Sequence, residues 1–302
     1  MSPTRSSRVS PQGGPSSGEP PARTLRVDLQ FDGTAFEGWQ RQARGRTVQG
    51  EVEAALARIL GTPHAVTGCG RTDAGVHAEQ HVSSFRTDHA MPAEDLERAL
   101  DAVLPEDVGV LALREVDPAF HAQRDAIWKW YRYRILVARR KQPLRRRRTW
   151  RQARTLSLAA LRAGARALEG RHDFASFANT GSSPGTTVRC VHRLRWSAEG
   201  DELRLDAVGD GFLYKMVRTV VGTLVQASTE PDPEAHVAAM LAARDRAAAG
   251  TVAPACGLSL MAVALRGEPP PGTVPDSLQP CVDSGERADS ASDRTTPSGE
   301  PS

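Results

Sequence analysis

At 302 residues, 39% of them hydrophobic and with no apolar run near the ~18 residues of a membrane span, the chain has material for one large core or two smaller ones and reads as soluble. Its four cysteines, Cys69, Cys190, Cys256 and Cys281, are scattered with no Cys-x-x-Cys pair, which argues against a zinc module or a disulfide framework and fits a reducing cytoplasm. The net charge of +3 conceals an asymmetry, since residues 268–302 carry seven acids against two arginines and the positive excess therefore lies in the middle of the chain.

Residues 1–22, rich in Ser, Pro and Gly, hold no apolar run, so they read as a disordered tail rather than a secretory signal. "TLRVDLQF" at 24–31 alternates apolar and polar residues, as a half-buried strand does. From Thr47, an N-cap residue, Val52, Ala55, Leu56, Ile59 and Leu60 fall on one helical face, and Gly61 closes that helix. Strands are expected at 65–69 and 81–85, a helix over 93–103 and a strand over 108–116. The second half opens with the strand "WKWYRYRILV" at 128–137, followed by a helix over 157–168 and strands near 188–197 and 202–208. A helix over 212–226 has a broad apolar stripe, another is expected over 234–248, and a strand at 258–265 closes the fold. The order predicts an α+β fold of two halves with antiparallel sheets, 23–120 and 121–267, joined near 118–125 and followed by a disordered acidic tail at 268–302.

Two stretches carry chemistry. "RRKQPLRRRRTWR" at 139–151 places eight cations in thirteen residues; an ordinary solvated loop competes with a phosphate-binding patch, which the excess of Arg over Lys and the nearby Trp150 favour. "GCGRTDAGVHAEQHVSSF" at 68–85 sets Asp73 beside Arg71 and Thr72 in a turn with glycines at 68, 70 and 75. Alone, such a turn is most simply an Asp capping backbone amides. It is not a P-loop, because no Gly-Lys-Ser/Thr follows.

Eight blocks in order change that reading: "FDGTAFEGWQRQ", "TVQGEVEAAL", "GRTDAGVHA", "VDPAFHA", "YRYRI", "GRHDFASFA", "GFLYKMVRTVVGTL" and "APACGLSLMAV". Together, over residues 25–265, they resemble the tRNA pseudouridine synthase A family. The resemblance implies the pseudouridine synthase fold, with two ferredoxin-like halves and the site in a cleft between them. It also implies a cofactor-free, metal-free homodimer that isomerises uridines at positions 38, 39 and 40 in the anticodon arm of tRNA.

That chemistry detaches uracil from its sugar, turns it and rejoins it through carbon, with no redox change. It needs a carboxylate that stays ionised when desolvated; burial raises an Asp pKa and a close guanidinium lowers it, so the acid wants an arginine partner. The candidate is Asp73, and the resemblance assigns its partner as Arg218 of "YKMVR", with Arg71 left for RNA phosphate or for holding the place of the flipped nucleotide. The glycines of the turn are expected to let an extruded sugar approach the backbone. The resemblance further assigns Tyr131 to stack on the uracil and act as a base, and Leu258 to close over the base. Period two puts Tyr133 on the same side as Tyr131, where packing is the simpler role. Arg145, Arg146, Arg147 and Arg148 are expected to position the tRNA by its phosphates.

The chain departs from the family pattern at Gln80 and His81, where a Gly-Gln pair is usual, and at Gln123, where an arginine is common and Arg124 stands next to it. His77 and His121 lack a ligand-spaced partner and read as structural. Two rivals remain: a noncatalytic tRNA-binding or folding protein on the same scaffold, and a glycosidic hydrolase, which needs a second carboxylate that the turn itself does not supply.

Overall fold

A computed structural model describes residues 22–181 and 185–269. The first half contributes β1 (Arg23–Phe31), α1 (Val48–Leu60), β2 (Thr67–Gly68), β3 (His77–Thr87), α2 (Ala93–Val103) and β4 (Val108–Val116). The second contributes β5 (Ala126–Val137), β6 (Trp150–Gln152), α3 (Leu158–Arg166), β7 (Gly170–Asp173), β8 (Val188–Glu199), β9 (Glu202–Gly209), α4 (Met216–Ala227), α5 (Pro233–Ala242) and β10 (Leu258–Leu265).

The mixed α+β architecture expected from the sequence is present, and its antiparallel strands join edge to edge into one sheet. The order is β4-β1-β3-β10-β5-β9-β8-β7, with β2 added on β3 and β6 on β5. The joint is β10, which runs parallel to β3, Ser259 opposite His77, and antiparallel to β5, Leu258 opposite Tyr133. The last strand of the described residues thus sets the start of β3, just after the Asp73 turn, beside the middle of β5.

Local chemistry explains the elements that bear on the site. The Thr47 hydroxyl accepts from the Gly50 amide at 3.3 Å, and Gly61 ends α1 at φ 75°, the left-handed conformation that glycine adopts most easily. Alternation along β5 sends Tyr131, Tyr133 and Ile135 into the main core, while Trp128 and Trp130 pack with Val208, Ala262 and Ala264 on the opposite face of the sheet. The main core also takes α4, which is apolar almost all round because it is buried almost all round. A methyl group on Gly222 of α4 would lie 1.8 Å from the Thr251 carbonyl oxygen, so the segment before β10 runs hard against this helix.

Several boundaries differ from expectation. α4 begins at Met216, not 212, because Lys215 is left-handed at φ 58° and turns the chain sharply into the helix. α5 stops at Ala242; Arg244 is left-handed at φ 49°, and a 3-10 turn at Arg246–Ala248 takes up the remaining residues. The expected strand at 65–69 is only Thr67–Gly68, and β6 and β7, three and four residues long, are too short to show a period.

The tails expected at 1–22 and 268–302 lie outside the described residues apart from Ala22, Glu268 and Pro269. Glu268 belongs to the fold: its carboxylate accepts from Arg26 at 2.7 Å and from Arg114 at 3.2 Å, and Arg26 is 4% exposed with Asp28 as its other partner. A guanidinium buried on β1 needs both carboxylates to satisfy its donors.

Candidate active site

Two loops of the first half are pressed together to form the turn that holds Asp73. The Val76 amide donates to the Asp73 carbonyl at 3.1 Å, Gly75 is left-handed at φ 77°, and the Gly75 amide donates to the Phe36 carbonyl at 3.2 Å. The Trp39 amide donates to the Thr72 carbonyl at 3.1 Å. The approach is close enough that a methyl group on Gly38, at φ 103°, would lie 2.5 Å from the Thr72 oxygen.

Two glycines of the turn line the cleft and are also closely packed. A methyl on Gly68 would meet the Trp39 indole at 2.6 Å and the His81 ring at 2.7 Å, and one on Gly70 would lie 3.1 Å from Lys129. Trp39 and His81 are themselves stacked with ring centres 3.8 Å apart.

Arg218, in the first turn of α4, reaches across from the second half. Its Nη1 donates to Asp73 Oδ2 at 2.9 Å, and its Nε donates to the Ala253 carbonyl at 2.8 Å. The Ala253 amide returns a bond to the Arg218 carbonyl at 3.1 Å, in the segment that Gly222 admits. The guanidinium is thus held by the backbone before it meets the carboxylate. Both side chains are 13% exposed; removing either leaves a mostly desolvated charge without its counter-charge, at a cost of about 3 kcal/mol.

Tyr131 is 7% exposed and meets Phe212 edge to face, with ring centres 5.4 Å apart at 89°. Burial pushes its phenol well above the ordinary value, and the neighbouring Cys69 and Asp73 act in the same direction. The hydroxyl therefore keeps its proton at neutral pH. Tyr133 is fully buried and donates to the Pro254 carbonyl at 2.8 Å, which anchors the turn that delivers Leu258 to the cleft.

Asp73, Arg71, Tyr131 and Leu258 all line one cleft of about 1190 Å³, larger than the ~300–1,000 Å³ of a typical small-molecule pocket. Arg71 is exposed at its rim. The cleft also holds residues the sequence reading passed over: Lys129, Arg189, Phe212, Tyr214 and Lys215. Lys129 was legible, because it stands two residues before Tyr131 on the same strand face. Phe212 was hidden by its place in a stretch read as helix. Two further carboxylates line the cleft, Glu37 and Asp210, and Asp210 accepts from the Cys190 amide at 3.1 Å.

The basic run is not one uniform patch. Arg145 is bound to both Asp201, at 2.7 Å, and Glu202, and Arg148 to Glu79 at 3.2 Å. Arg146 is exposed and touches only the Pro143 carbonyl, at 2.9 Å, and Arg147 makes no side-chain ion pair among the described residues. Leu144, just before these four arginines, is 99% exposed. His77 is buried with Nδ1 accepting from the Gly33 amide at 3.1 Å, and His121 Nδ1 accepts from the Gln123 and Arg124 amides at 3.3 Å, both structural roles. Among the described residues no group of three or more His, Cys, Asp or Glu side chains is placed to hold a metal ion.

The family model for tRNA pseudouridine synthase matches residues 29–123 and 165–264. Proteins named tRNA pseudouridine synthase A are 40% identical in Pelobacter propionicus and 42% in Geobacter sulfurreducens, each over 80% of this chain and 99% of the relative. The one from Thermus thermophilus is 45% identical over 78% of this chain and 94% of its own. Among solved structures, a chain of a Cbf5-Nop10-Gar1 complex matches at a TM-score of 0.30 and 11% identity, covering 67% of this chain and 53% of that one, too distant to bear on the site. With matches spanning both halves and the Asp73 and Arg218 blocks alike, the chain belongs to the tRNA pseudouridine synthase A family.

Proposed function

We propose that the protein isomerises uridine to pseudouridine in the anticodon arm of tRNA, with Asp73 as the nucleophile. The observation that carries this reading is the Asp73–Arg218 ion pair, made across the two halves at the wall of a cleft shared with Tyr131 and Leu258. In the reaction the bond from sugar to ring nitrogen breaks, the detached uracil turns, and a bond from the same sugar carbon to a ring carbon forms. The ring carbon gives up a proton and the ring nitrogen gains one, so no atom is lost and nothing is oxidised.

The clamped guanidinium keeps the Asp73 carboxylate aimed and supplies its counter-charge in a site that substrate desolvates. Tyr131 offers a flat, protonated ring for the uracil to stack on, and Leu258 an apolar lid. Lys129 and Arg71 add positive charge for the phosphates flanking the extruded nucleotide. Within Arg145–Arg148, Arg146 and Arg147 rather than Arg145 and Arg148 are the cations left over for the tRNA backbone. The family resemblance supports two further parts of the reading, a homodimer and a cytoplasmic setting; among the described residues no helix is long and apolar enough to cross a membrane.

Asp73→Asn keeps the shape of the side chain and removes the nucleophile. Pseudouridine formation is expected to vanish while tRNA binding survives. A variant that still turns over at a tenth of the normal rate sinks the assignment, and a variant that loses binding with activity points to a structural Asp73.

A further inference from the structure

The outer edge of the second half carries a groove of about 430 Å³, separate from the cleft, lined by Arg162 and Arg166 of α3, Arg193 and Arg195 of β8, and Glu169. Four guanidinium groups face one carboxylate, and that carboxylate is already engaged, since Glu169 Oε1 accepts from the Leu194 amide at 2.7 Å. Arg166 is paired with Glu234, but among the described residues the others are not paired with acids. Arg162 donates to the Trp196 carbonyl at 3.0 Å, Arg193 to the carbonyl of its neighbour His192 at 2.8 Å, and Arg195 makes no side-chain hydrogen bond or ion pair among the described residues.

Two observations decide what the groove takes. β7 pairs with β8 only as far as Val191, so beyond it β8 is an edge strand. The edge is nonetheless closed to another strand, because Glu169 and Arg162 already occupy the Leu194 amide and the Trp196 carbonyl. What the groove leaves open among the described residues is donor, the guanidinium groups of Arg162, Arg193 and Arg195 without acid partners. The missing partner is an acceptor, and a negatively charged one.

The position of the groove connects it to the cleft. Arg189 lines the cleft on the same strand as Arg193 and Arg195. Six residues of strand separate Arg189 from Arg195, about 20 Å at ~3.3 Å per residue. Cations spaced along that distance follow a phosphodiester chain better than they fit one small anion.

We propose that this groove is a second phosphate site, which grips the ribose–phosphate backbone of the substrate tRNA outside the anticodon arm; it rests on the tRNA reading above. Arg193 and Arg195 supply the free charge, and Arg162 closes the opposite wall while holding the strand edge.

The test uses the full-length chain with Arg193→Gln and Arg195→Gln together, since neither side chain is tied to another element of the fold. Binding is measured across a sodium chloride series with two RNAs, a whole tRNA transcript and its isolated anticodon stem-loop. For the whole tRNA the slope of log affinity against log salt is expected to become shallower by about 2, roughly 0.9 for each lost phosphate contact. KM is expected to rise and kcat to stay. Binding of the stem-loop is expected not to change. Unchanged binding of the whole tRNA, or an equal loss on both RNAs, overturns the proposal. Wild-type protein that binds tRNA with a steep salt slope but forms no pseudouridine counts against the catalytic reading and not against the groove.

Discussion

Gly38→Ala tests whether the packing of two loops sets the position of Asp73. Gly38 sits at φ 103°, and its added methyl would lie 2.5 Å from the Thr72 oxygen and 3.2 Å from both the Asp73 carbonyl carbon and the Ala74 amide nitrogen. Ordinary contact begins at 3.4 Å, so the Asp73 turn or the facing loop must retreat by about 0.9 Å; reacting groups misplaced by ~1 Å lose about 10²-fold in rate. The backbone conformation itself costs an alanine ~1–2 kcal/mol. Gly61→Ala is the matched control, because Gly61 is also left-handed, at φ 75°, yet has no atom within 4 Å of the added methyl. Gly61→Ala should lose ~1–2 kcal/mol in denaturant unfolding and Gly38→Ala a further ~1–3 kcal/mol for the overpacked contact, while only Gly38→Ala should lose turnover, by ~10–100-fold at saturating tRNA. Equal turnover in the two variants would refute the claim that this contact places Asp73.

Three further outcomes are expected. Arg146→Ser with Arg147→Ser should flatten the salt dependence of tRNA binding by about 2 and leave the melting temperature alone. Arg145→Ser, which breaks contacts to Asp201 and Glu202, should instead lower stability by about 1 kcal/mol and leave the slope unchanged; the opposite pattern in a melt and a filter-binding series would show the assignment reversed. Burial raises the Glu268 carboxyl, but Arg26 and Arg114 hold it below its ordinary 4.5, so its stabilisation is complete above that pH and fades as acid protonates it. Glu268→Gln should therefore melt lower than wild type at pH 7 and approach it at pH 3, and cutting the chain after Arg266 should cost as much as the point change while cutting after Pro269 costs little.

Elements that announce themselves locally were legible in the sequence. α1 has a cap, a stripe and a closing glycine within fifteen residues, and β5 and β10 are strongly apolar strands, so each follows from short-range chemistry. Asp73 and Arg218 stand 145 residues apart, and only the resemblance pairs them; periodicity has no means of doing so. The start of α4 was misplaced because Phe212 and Leu213 continue an apolar stripe that the left-handed Lys215 interrupts. The basic run looked uniform because its counter-charges, Glu79, Asp201 and Glu202, are distant in sequence. Glu268 was placed in a tail for the same reason, its partner Arg26 lying 242 residues earlier.

Isomerisation loses no atoms, whereas Glu37 and Asp210 in the cleft give the hydrolytic rival the extra carboxylates that the Asp73 turn alone lacks. The direct measurement is to incubate unmodified tRNA with the protein, digest it to nucleosides, and quantify uridine, pseudouridine and free uracil by chromatography. For an isomerase, uridine lost equals pseudouridine gained, with no free uracil and none of the change in the Asp73→Asn reaction. Free uracil matching the uridine lost, or tRNA bound and returned unchanged, would contradict isomerisation.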